Sequence, residues 1–505
     1  MSLAIVYTRA SLGIEAPLIT VEVHLANGLP SFNIVGLPEA SVRESRDRVR
    51  SALINSEFEF PTKRITVNLA PADLPKDGSR FDLAIAVGIL VAAGQIDYQA
   101  IANLEFVGEL ALSGELRAVP GILPFVLAAK SKQKQVIMPS GNVQEAVLIR
   151  GIELYSAQSL TDVFLHLTGR SLLTQCATEC AFTAVQTYPD MQDVVGQSSA
   201  RRALEIAAAG AHHILFVGPP GTGKTMLASR MAGLLPELSE YEALEVAAIT
   251  SISNVKNISE SWCQRPFRQP HHTCSAVALI GGGSQPKPGE VSLAHRGILF
   301  LDELTEFDRK VLDVLREPLE SGEVCISRAA RQATFPAKFQ LVAAMNPSPT
   351  GDINDGRSST DVILRYLSRL SGPFLDRIDL QVDVPRVSPE QFSKEMHFDN
   401  EDSATIRRRV EHARQLQLSR SGHVNSDMSG RDIKQFCRLS EVDRQFLDGA
   451  ATKLGLSMRS YHRILKVSRT IADLQSESQI QRNHLAEAMG YRALERMIGK
   501  LKNDR

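Results

Sequence analysis

The chain is poor in cysteine and in aromatic side chains, with six cysteines and 6% Phe, Trp and Tyr among its 505 residues. The cysteines lack zinc-finger spacing, and we interpret them as reduced thiols. No run approaches 18 uninterrupted apolar residues, and the N-terminus lacks the basic region and cleavage site of a secretory signal. These absences argue against membrane spanning and export, so we expect a cytoplasmic protein without a membrane partner.

Neither sign of charge is in excess over the whole chain, since 56 Lys and Arg stand against 57 Asp and Glu. That balance excludes a polycation of the histone type. Over residues 401–505, however, 20 Lys and Arg stand against 13 Asp and Glu, which favours a basic C-terminal face. Solvated helix surfaces explain this local excess equally well.

The length predicts roughly three domains at about 150 residues each. β-Branched runs punctuated by Gly and Pro over residues 1–170 predict an α/β or α+β domain. Residues 171–188 lack clear periodicity and are interpreted as a linker. Residues 189–386 have the strand, Gly-rich loop and helix order of an α/β nucleotide-binding core, and residues 387–505 predict a helical domain.

The most specific motif is a phosphate loop that follows an apolar strand at residues 214–217 and precedes a helix. Its glycines let backbone N–H groups approach phosphate oxygens, and the helix N-terminus adds partial positive charge. We expect ATP here, with Lys224 on the β and γ phosphates and the Thr225 hydroxyl on Mg²⁺. The predicted ATP-binding residues of the loop are Gly218, Pro219, Pro220, Gly221, Thr222, Gly223, Lys224 and Thr225.

Two acids follow a second apolar strand in the segment GILFLDEL at residues 297–304. Ligands bind at the carboxyl ends of parallel strands, so these carboxylates are expected beside the phosphate loop. Asp302 suits a Mg²⁺ ligand that acts through water, and Glu303 suits polarisation of an attacking water molecule. A third strand ends at Asn346, which is then placed to orient that water or to contact the γ phosphate.

Four longer segments carry a family resemblance: RPFRQPHHT (265–273), GGGSQPKPGEVSLAHRGILFLDEL (281–304), PLESGEVCISR (318–328) and RLSGPFLDRIDL (369–380). In order and spacing they resemble the magnesium-chelatase-like branch of the AAA+ ATPases, and within it the YifB/ComM group. The resemblance covers nearly the whole chain. It implies a ring, usually a hexamer, in which nucleotide binds between subunits.

The same resemblance implies roles for arginines that are distant from the phosphate loop in sequence. Arg377 matches the arginine that reaches the γ phosphate of the neighbouring subunit, and Arg369 is a second candidate for that role. Arg459 matches the sensor arginine of the helical lid domain. Many relatives have a cysteine cluster after the third strand, where this chain has Ser348 and Thr350. That departure puts any zinc-like element there in doubt.

Residues 74–90 and the segment after them resemble the proteolytic domain of Lon-type proteases, in which a lysine activates a serine nucleophile. Here the serine position is Arg80 and the lysine position is Leu123. The resemblance therefore implies a Lon-like fold without peptidase activity, which serves as a collar for assembly or substrate guidance. Ser79 with Lys76 is the alternative dyad that the sequence leaves open.

His271 and His272 lie near Arg265 and Arg268 in the sequence and predict a polar cluster near the nucleotide or the subunit interface. Structural hydrogen bonding is the favoured role of these histidines. The alternative is a metal site, which would need further ligands at suitable spacing.

Two segments are candidates for contacting a substrate inside a ring. Lys287 lies in a Gly-rich segment that we expect to be a mobile loop, and Arg328 and Arg331 lie near the tip of a predicted hairpin over residues 324–336. Cationic tips without aromatic side chains favour sequence-independent binding to a nucleic-acid backbone over binding to a polypeptide. A solvent-exposed turn explains the Gly-rich segment equally well.

Three functions follow from these patterns. The first is a hexameric DNA motor with helicase or branch-migration activity. The resemblance associates this motor with integrating incoming DNA during natural transformation and recombination, with recombination proteins as candidate partners. The second is a chelatase-type motor, which would need a partner subunit with a metal-binding domain. The third is a protein-remodelling ATPase, favoured only by the front domain. We expect the first.

Overall fold

A computed structural model describes residues 3–36, 40–74, 76, 78–177, 188–253, 258, 261–283, 286–328, 331–353, 355–387, 400–454 and 456–503. They form an N-terminal mixed sheet with helices, a central parallel sheet with helices, and a C-terminal group of helices. The α/β architecture with C-terminal helices that the sequence predicts is thereby confirmed. Within the described residues, no helix has both the length and the hydropathy that a bilayer crossing requires.

The strands of the N-terminal sheet are β1 (Leu3–Arg9), β2 (Leu18–Ala26), β3 (Ser31–Val35), β4 (Arg64–Ala70), β5 (Leu104–Phe106), β8 (Gln135–Pro139) and β9 (Leu154–Ala157). Their order is β3-β4-β2-β1-β5-β8-β9. The β1–β2 and β2–β4 pairs are antiparallel, and the other neighbours are parallel. A hairpin of β6 (Glu109–Leu110) and β7 (Leu116–Arg117) lies outside this sheet. The helices are Ala40–Asn55, Asp82–Ala92, Ile122–Ser131, Val143–Ala146 and Leu160–Leu167.

The N-terminal sheet packs around one buried helix. β1, β2 and β4 alternate buried and more exposed residues, so one face of each strand turns to the core. The helix Asp82–Ala92 contacts β1 and β2, and all of its residues are buried. Gly88 permits this close approach, because a Cβ at that position would lie 2.6 Å from Val23 Cγ2.

The central sheet consists of β10 (Ile214–Val217), β11 (Phe267–Arg268), β14 (Ile298–Leu301), β17 (Gln340–Met345) and β18 (Leu380–Asp383). All neighbours are parallel, in the order β11-β14-β17-β10-β18. β10, β14 and β17 are buried at every residue, as expected for strands covered on both faces. The helices of this part are Ser198–Gly210, Lys224–Leu234, Glu240–Ile252, Ala276–Ile280, Glu290–Leu293, Arg309–Asp313, Pro318–Ser321, Thr360–Leu367 and Gly372–Leu375.

Two hairpins of the central part lie outside its five-stranded sheet. β15 (Glu323–Arg328) pairs with β16 (Arg331–Pro336), which confirms the predicted hairpin and sets Arg328 opposite Arg331. The two ends of the Gly-rich segment, which the sequence predicts to be a mobile loop, pair as β12 (Gly281–Gly282) and β13 (Lys287–Pro288). Gly281 makes this pairing possible, because a Cβ there would lie 2.3 Å from the Lys287 carbonyl oxygen. The tips at residues 284–285 and 329–330 lie outside the described residues.

The C-terminal helices pack on the central part with the help of half-buried arginines. Helices Ser403–Ser421 and Met458–Leu474 contact Ser198–Gly210. Arg407 Nε donates to the Gly233 carbonyl oxygen at 2.8 Å, and Arg414 Nε donates to that of Ala208 at 2.9 Å. Both carbonyl groups lie in the last turn of a helix, where they lack partners within the helix. The remaining C-terminal helices are Gly430–Phe436, Glu441–Leu454, Arg482–Gly490 and Ala493–Asn503.

The N-terminal and central parts meet at the helix Glu240–Ile252, which packs on Ile122–Ser131. Ser251 Oγ donates to the Glu145 carboxylate at 2.9 Å, and the Gly121 N–H donates to the Ser251 carbonyl oxygen at 3.0 Å. Apolar side chains from both parts share one buried cluster. The two parts are therefore joined by packing as well as by the chain between them.

The predicted linker over residues 171–188 falls largely outside the described residues, which omit 178–187. Its first residues lie along the N-terminal sheet. Gln175 forms a bridge with Tyr155 of β9, and the Cys176 N–H donates to the Leu154 carbonyl oxygen at 2.8 Å.

Candidate functional site

The phosphate loop lies at the carboxyl end of β10. Lys224 Nζ donates to the carbonyl oxygens of Gly218 and Pro219, both at 2.8 Å, and to Asn346 Oδ1 at 3.2 Å. These bonds bring the end of β17 to the loop and hold the amine at its centre. The other predicted loop residues lie on the same turn between β10 and the helix Lys224–Leu234; they are Pro220, Gly221, Thr222 and Gly223.

The conformation of the loop fits a triphosphate. Gly221 and Gly223 adopt φ values of 77° and 87°, which other residues rarely adopt. A Cβ on Gly221 would meet nothing within 4 Å, so this position faces open space that a phosphate group can approach. Gly218, in contrast, is closely packed: a Cβ added there would lie 2.2 Å from the Val384 carbonyl oxygen, so only glycine fits. Bound ATP would supply the reactive γ phosphate, and the backbone N–H groups of the loop would hold it.

The donor set for Mg²⁺ comes from two separate segments. Thr225 Oγ1 donates to Asp302 Oδ2 at 2.7 Å, which joins the start of the helix after the loop to the end of β14. Hydroxyl and carboxylate oxygens are the hard ligands that Mg²⁺ takes together with phosphate oxygens and water. Burial lowers the pKa of Lys224, and the negative charges of Asp302 and Glu303 oppose that shift. The residues present therefore fit Mg²⁺ with ATP.

Glu303 follows β14 in a left-handed backbone conformation, with φ at 50°. Such a conformation costs of order 1 kcal/mol or more for a residue other than glycine and is enriched at functional sites. The Glu303 N–H donates to Asp302 Oδ1 at 2.9 Å, and its side chain is 57% exposed. A carboxylate so placed is accessible to water beside the phosphate loop.

The histidine pair contacts this glutamate. His272 Nδ1 lies 3.4 Å from Glu303 Oε2, the rings of His271 and His272 are 4.1 Å apart, and His271 Nδ1 bonds Thr273 Oγ1 at 2.9 Å. This network agrees with a hydrogen-bonding role for the histidines. In the described part of the chain, no group of three His, Cys, Asp or Glu side chains is arranged to hold a metal ion. The predicted neighbours Arg265 and Arg268 have other partners: Arg268 pairs with Glu290, and Arg265 donates to the Pro236 carbonyl oxygen. The sequence also did not show that His272 meets Glu303.

Arg377 does not join this cluster. It precedes β18, whereas the phosphate loop follows the parallel strand β10, and Leu380 is in register with Ile214. Arg377 and the phosphate loop therefore lie at opposite ends of the strands β10 and β18. The length of strand between them is about 10 Å at ~3.3 Å per residue. The Arg377 guanidinium pairs with Glu320 and donates to the Arg316 and Pro373 carbonyl oxygens. The Arg377 side chain is 13% exposed, and these partners all belong to its own chain.

The other two predicted arginines also lie outside the cluster. Arg369 donates to the Thr305 carbonyl oxygen at 3.3 Å and lies 3.7 Å from Glu306. Arg459 is exposed in the first turn of the helix Met458–Leu474. Sequence reasoning missed Gln197, whose Nε2 donates to the Pro385 carbonyl oxygen at 2.7 Å and to that of Thr222 at 3.4 Å.

The alternative dyad of the N-terminal part is not formed. Ser79 Oγ bonds the Glu109 carboxylate, whereas Lys76 Nζ donates to the carbonyl oxygens of Pro71 and Leu74. The amine and the hydroxyl each have other partners, because the buried lysine folds back on its own turn. The structure therefore does not support Ser79 and Lys76 as a catalytic dyad.

Comparison with known proteins places the chain in a family. The family models "Magnesium chelatase, subunit ChlI", "Subunit ChlI of Mg-chelatase" and "Magnesium chelatase, subunit ChlI C-terminal" match residues 190–392, 21–142 and 400–492. The chain is 55% identical to competence protein ComM of Haemophilus influenzae over 510 residues, with 100% of both chains covered. It belongs to the YifB/ComM family of magnesium-chelatase-like proteins.

Other relatives support the same assignment. The chain is 51% identical to YifB of Escherichia coli, covering 99% of this chain and 98% of that protein. Identity to the magnesium-chelatase 38 kDa subunit of Rhodobacter capsulatus is 24%, over 58% of this chain and 83% of the relative. Similarity within the YifB/ComM family thus extends over the full length, and similarity to the chelatase subunit covers part of it.

The loop geometry of this YifB/ComM family member gives a direct prediction for nucleotide binding. Lys224→Ala is expected to weaken ATP affinity about 10- to 100-fold, because the triphosphate loses one charge-assisted contact. Titration with a fluorescent ATP analogue measures this change. Lys310→Ala, at an exposed position of the helix Arg309–Asp313 in the central part, is the matched control. Equal affinities of the two variants would contradict the assignment of Lys224.

Proposed function

We propose that this chain is an ATPase that assembles into a hexameric ring and uses ATP hydrolysis to migrate branch points in DNA. The observation that best supports this proposal is the position of Arg377 at the end of the strands opposite the Lys224–Asp302–Glu303 cluster. Each chain then holds a pocket at one edge and an arginine at the other. A ring of identical copies lets each arginine complete the pocket of its neighbour.

Each residue of the pocket has a role in this proposal. Lys224 and the loop N–H groups hold the phosphates, and Thr225 with Asp302 holds Mg²⁺. Glu303 accepts the proton of the attacking water, and Asn346 orients that water. Arg377 of the neighbouring subunit and Arg459 of the lid stabilise the charge of the transferred phosphate; these two roles rest on the family resemblance.

DNA is the proposed substrate for two reasons. The relative with 55% identity over the full length is named a competence protein, which supports a role in handling incoming DNA by recombination. The β15–β16 hairpin pairs Arg328 with Arg331 at its end, and Lys287 is exposed on β13. Cations at the ends of such hairpins suit a phosphate backbone and make no demand on base sequence.

The hairpin arginines provide a separable prediction. The double variant Arg328→Ala/Arg331→Ala is expected to weaken binding to a forked duplex about 10-fold. The slope of log affinity against log salt concentration should fall by roughly two, because two fewer cations contact the phosphates. Basal ATP hydrolysis should be unchanged, because the hairpin is distinct from the phosphate loop. Lys500→Ala/Lys502→Ala removes the same charge at two exposed positions of the helix Ala493–Asn503 and is the control. Unchanged binding by the hairpin variant would remove it from the DNA path.

ATP turnover in the presence of different substrates tests the proposed function against its alternatives. The DNA motor predicts stimulation by forked or four-strand DNA and none by unfolded polypeptide. A chelatase-type motor would respond to neither, since its partner carries the metal-binding domain. Stimulation by unfolded polypeptide alone would favour the protein-remodelling alternative. We propose the N-terminal domain as a non-peptidase collar in each case.

A further inference from the structure

The hairpin that carries Arg328 and Arg331 rests on the central part through one face. Successive side chains of a strand point to opposite faces, and in this hairpin every second one is buried. The buried residues belong to the apolar cluster on one side of the central sheet; they are Val324, Ile326, Ala333 and Phe335. What this face packs against therefore sets where the end of the hairpin lies.

The turn between β1 and β2 of the N-terminal part contacts this hairpin. A Cβ added to Gly13 would lie 3.2 Å from the Thr334 carbonyl oxygen and 3.5 Å from Ala333 Cβ, and Gly13 is buried. Ile14, the next residue, packs against the apolar cluster that contains the buried face of the hairpin. This contact is separate from the one made by the helix Glu240–Ile252, so it joins the N-terminal and central parts at a second place.

The turn is tied to the N-terminal sheet. The Leu12 and Glu15 N–H groups each donate to the carbonyl oxygen of the other residue at 3.0 Å, which closes the turn. Arg9 Nη1 donates to the Ala16 carbonyl oxygen at 3.0 Å, and the Arg9 guanidinium bonds the Glu105 carboxylate at 2.6 and 2.7 Å. Both side chains of this pair are buried, and their two parallel bonds fix their geometry. The turn therefore meets the hairpin as a fixed support.

The ribbon that carries Lys287 contacts the other strand of the hairpin. A Cβ added to Gly281 on β12 would lie 2.9 Å from Ile326 Cδ1 on β15. The hairpin is thus in contact with the N-terminal turn through β16 and with the β12–β13 ribbon through β15. In a closely packed cluster, a shift of one element displaces its neighbours. Both segments that are candidates for DNA contact therefore depend on the same support.

We propose that the turn Leu12–Glu15 is a brace that sets the position of the β15–β16 hairpin for contact with DNA. Gly13 and Ile14 are positioning residues: they touch the hairpin, and the hairpin touches the DNA. The inference rests on the proposed function, because it takes this hairpin as a DNA contact. It assigns the N-terminal part a task inside its own chain that needs no peptidase dyad.

Hydrogen exchange of the full-length protein tests the brace without DNA. Ile14→Ser removes the apolar contact and is expected to make amide exchange in β15 and β16 about 5- to 30-fold faster, because the hairpin opens more often. Leu29→Ser is the matched control, since Leu29 is 89% exposed after β2 of the same sheet. Ile14→Val keeps most of the contact and should exchange like the unmodified chain. Unchanged exchange of β15 and β16 in Ile14→Ser would contradict the brace.

DNA binding and ATP turnover test what the brace does. Ile14→Ser is expected to weaken binding to a forked duplex about 2- to 30-fold, the range for residues that act on a site without contacting its ligand. Basal ATP hydrolysis and the KM for ATP should be unchanged, and only the stimulation of turnover by DNA should fall. Gly13→Ala crowds the Thr334 carbonyl group and disfavours the φ of 58°, so it should show the same pattern.

The results that contradict the brace differ from the one that contradicts the proposed function. Normal DNA binding by Ile14→Ser despite faster exchange would show that the turn does not serve DNA contact. Equal loss of basal hydrolysis and DNA binding would indicate general damage to the fold, and it would also overturn the proposal. If forked DNA neither binds nor stimulates the unmodified protein, the proposed function fails together with the DNA role of the brace, whereas faster hairpin exchange in Ile14→Ser would still demonstrate the contact.

Discussion

Glu303→Gln is expected to bind ATP with nearly normal affinity and to hydrolyse it roughly 10²- to 10⁴-fold more slowly, the usual contribution of a general base. The amide keeps the size of the side chain and its contact with His272, but it cannot accept a proton from water. The Thr225–Asp302 contact and the phosphate loop are untouched by the change. Single-turnover hydrolysis and nucleotide titration measure the two effects separately.

A trapped complex is the second consequence of this substitution. Bound ATP that is not hydrolysed should hold neighbouring subunits together, so the variant should be recovered as a ring by light scattering in ATP and Mg²⁺. Glu306→Gln, an exposed acid three residues further on, is the matched control and should turn over normally. Normal turnover by Glu303→Gln would reject the role assigned to Glu303.

Arg377→Ala is expected to lower kcat by about 10³-fold, in the range found for arginines that complete a phosphoryl-transfer site from another subunit. ATP affinity should change little, because Arg377 lies at the opposite edge of the sheet from its own loop. Steady-state kinetics over a range of ATP concentrations separates these two effects. Mixing the variant with Lys224→Ala chains should recover activity from two inactive proteins.

Two controls sharpen the Arg377 experiment. Arg369→Ala tests the second candidate arginine, which contacts the Thr305 carbonyl oxygen beside Glu303 of its own chain. If Arg369→Ala is inactive and rescued while Arg377→Ala is active, the assignment of the two residues must be exchanged. Absence of rescue for both variants would contradict an arginine shared between subunits.

The parts of the site that sequence could predict depend on short-range order. A buried strand, a Gly-rich turn and a helix are contiguous, so the position of Lys224 follows from the local pattern alone. Asp302 and Glu303 follow because the carboxyl ends of parallel strands share one edge. The predicted meeting of these segments is confirmed by the Thr225–Asp302 and Lys224–Asn346 hydrogen bonds.

The parts that sequence could not predict depend on contacts between distant segments. Gln197 reaches the loop from the start of a helix, and His272 reaches Glu303 from the segment after β11. Asp379 and Arg463 are 84 positions apart and carry no pattern that pairs them. Only the packing of the lid on the sheet brings these side chains together.

The Gly-rich segment shows how one pattern allows two structures. The glycines at and after Gly281 predict a mobile loop, because glycine permits many backbone conformations. The same freedom allows the close backbone approach of β12 and β13, where a larger side chain would clash with the Lys287 carbonyl group. Composition alone does not distinguish these two structures, because the contact that decides between them is made with Lys287 on the opposite strand.

The central claim is that ATP hydrolysis by this chain moves a DNA branch point. The most direct measurement is a fluorescence assay on a mobile four-strand junction with purified protein, ATP and Mg²⁺. We expect the junction to resolve into two duplexes with the unmodified protein, and to persist with Glu303→Gln or without ATP. An unchanged junction in the presence of rapid ATP turnover would contradict the claim.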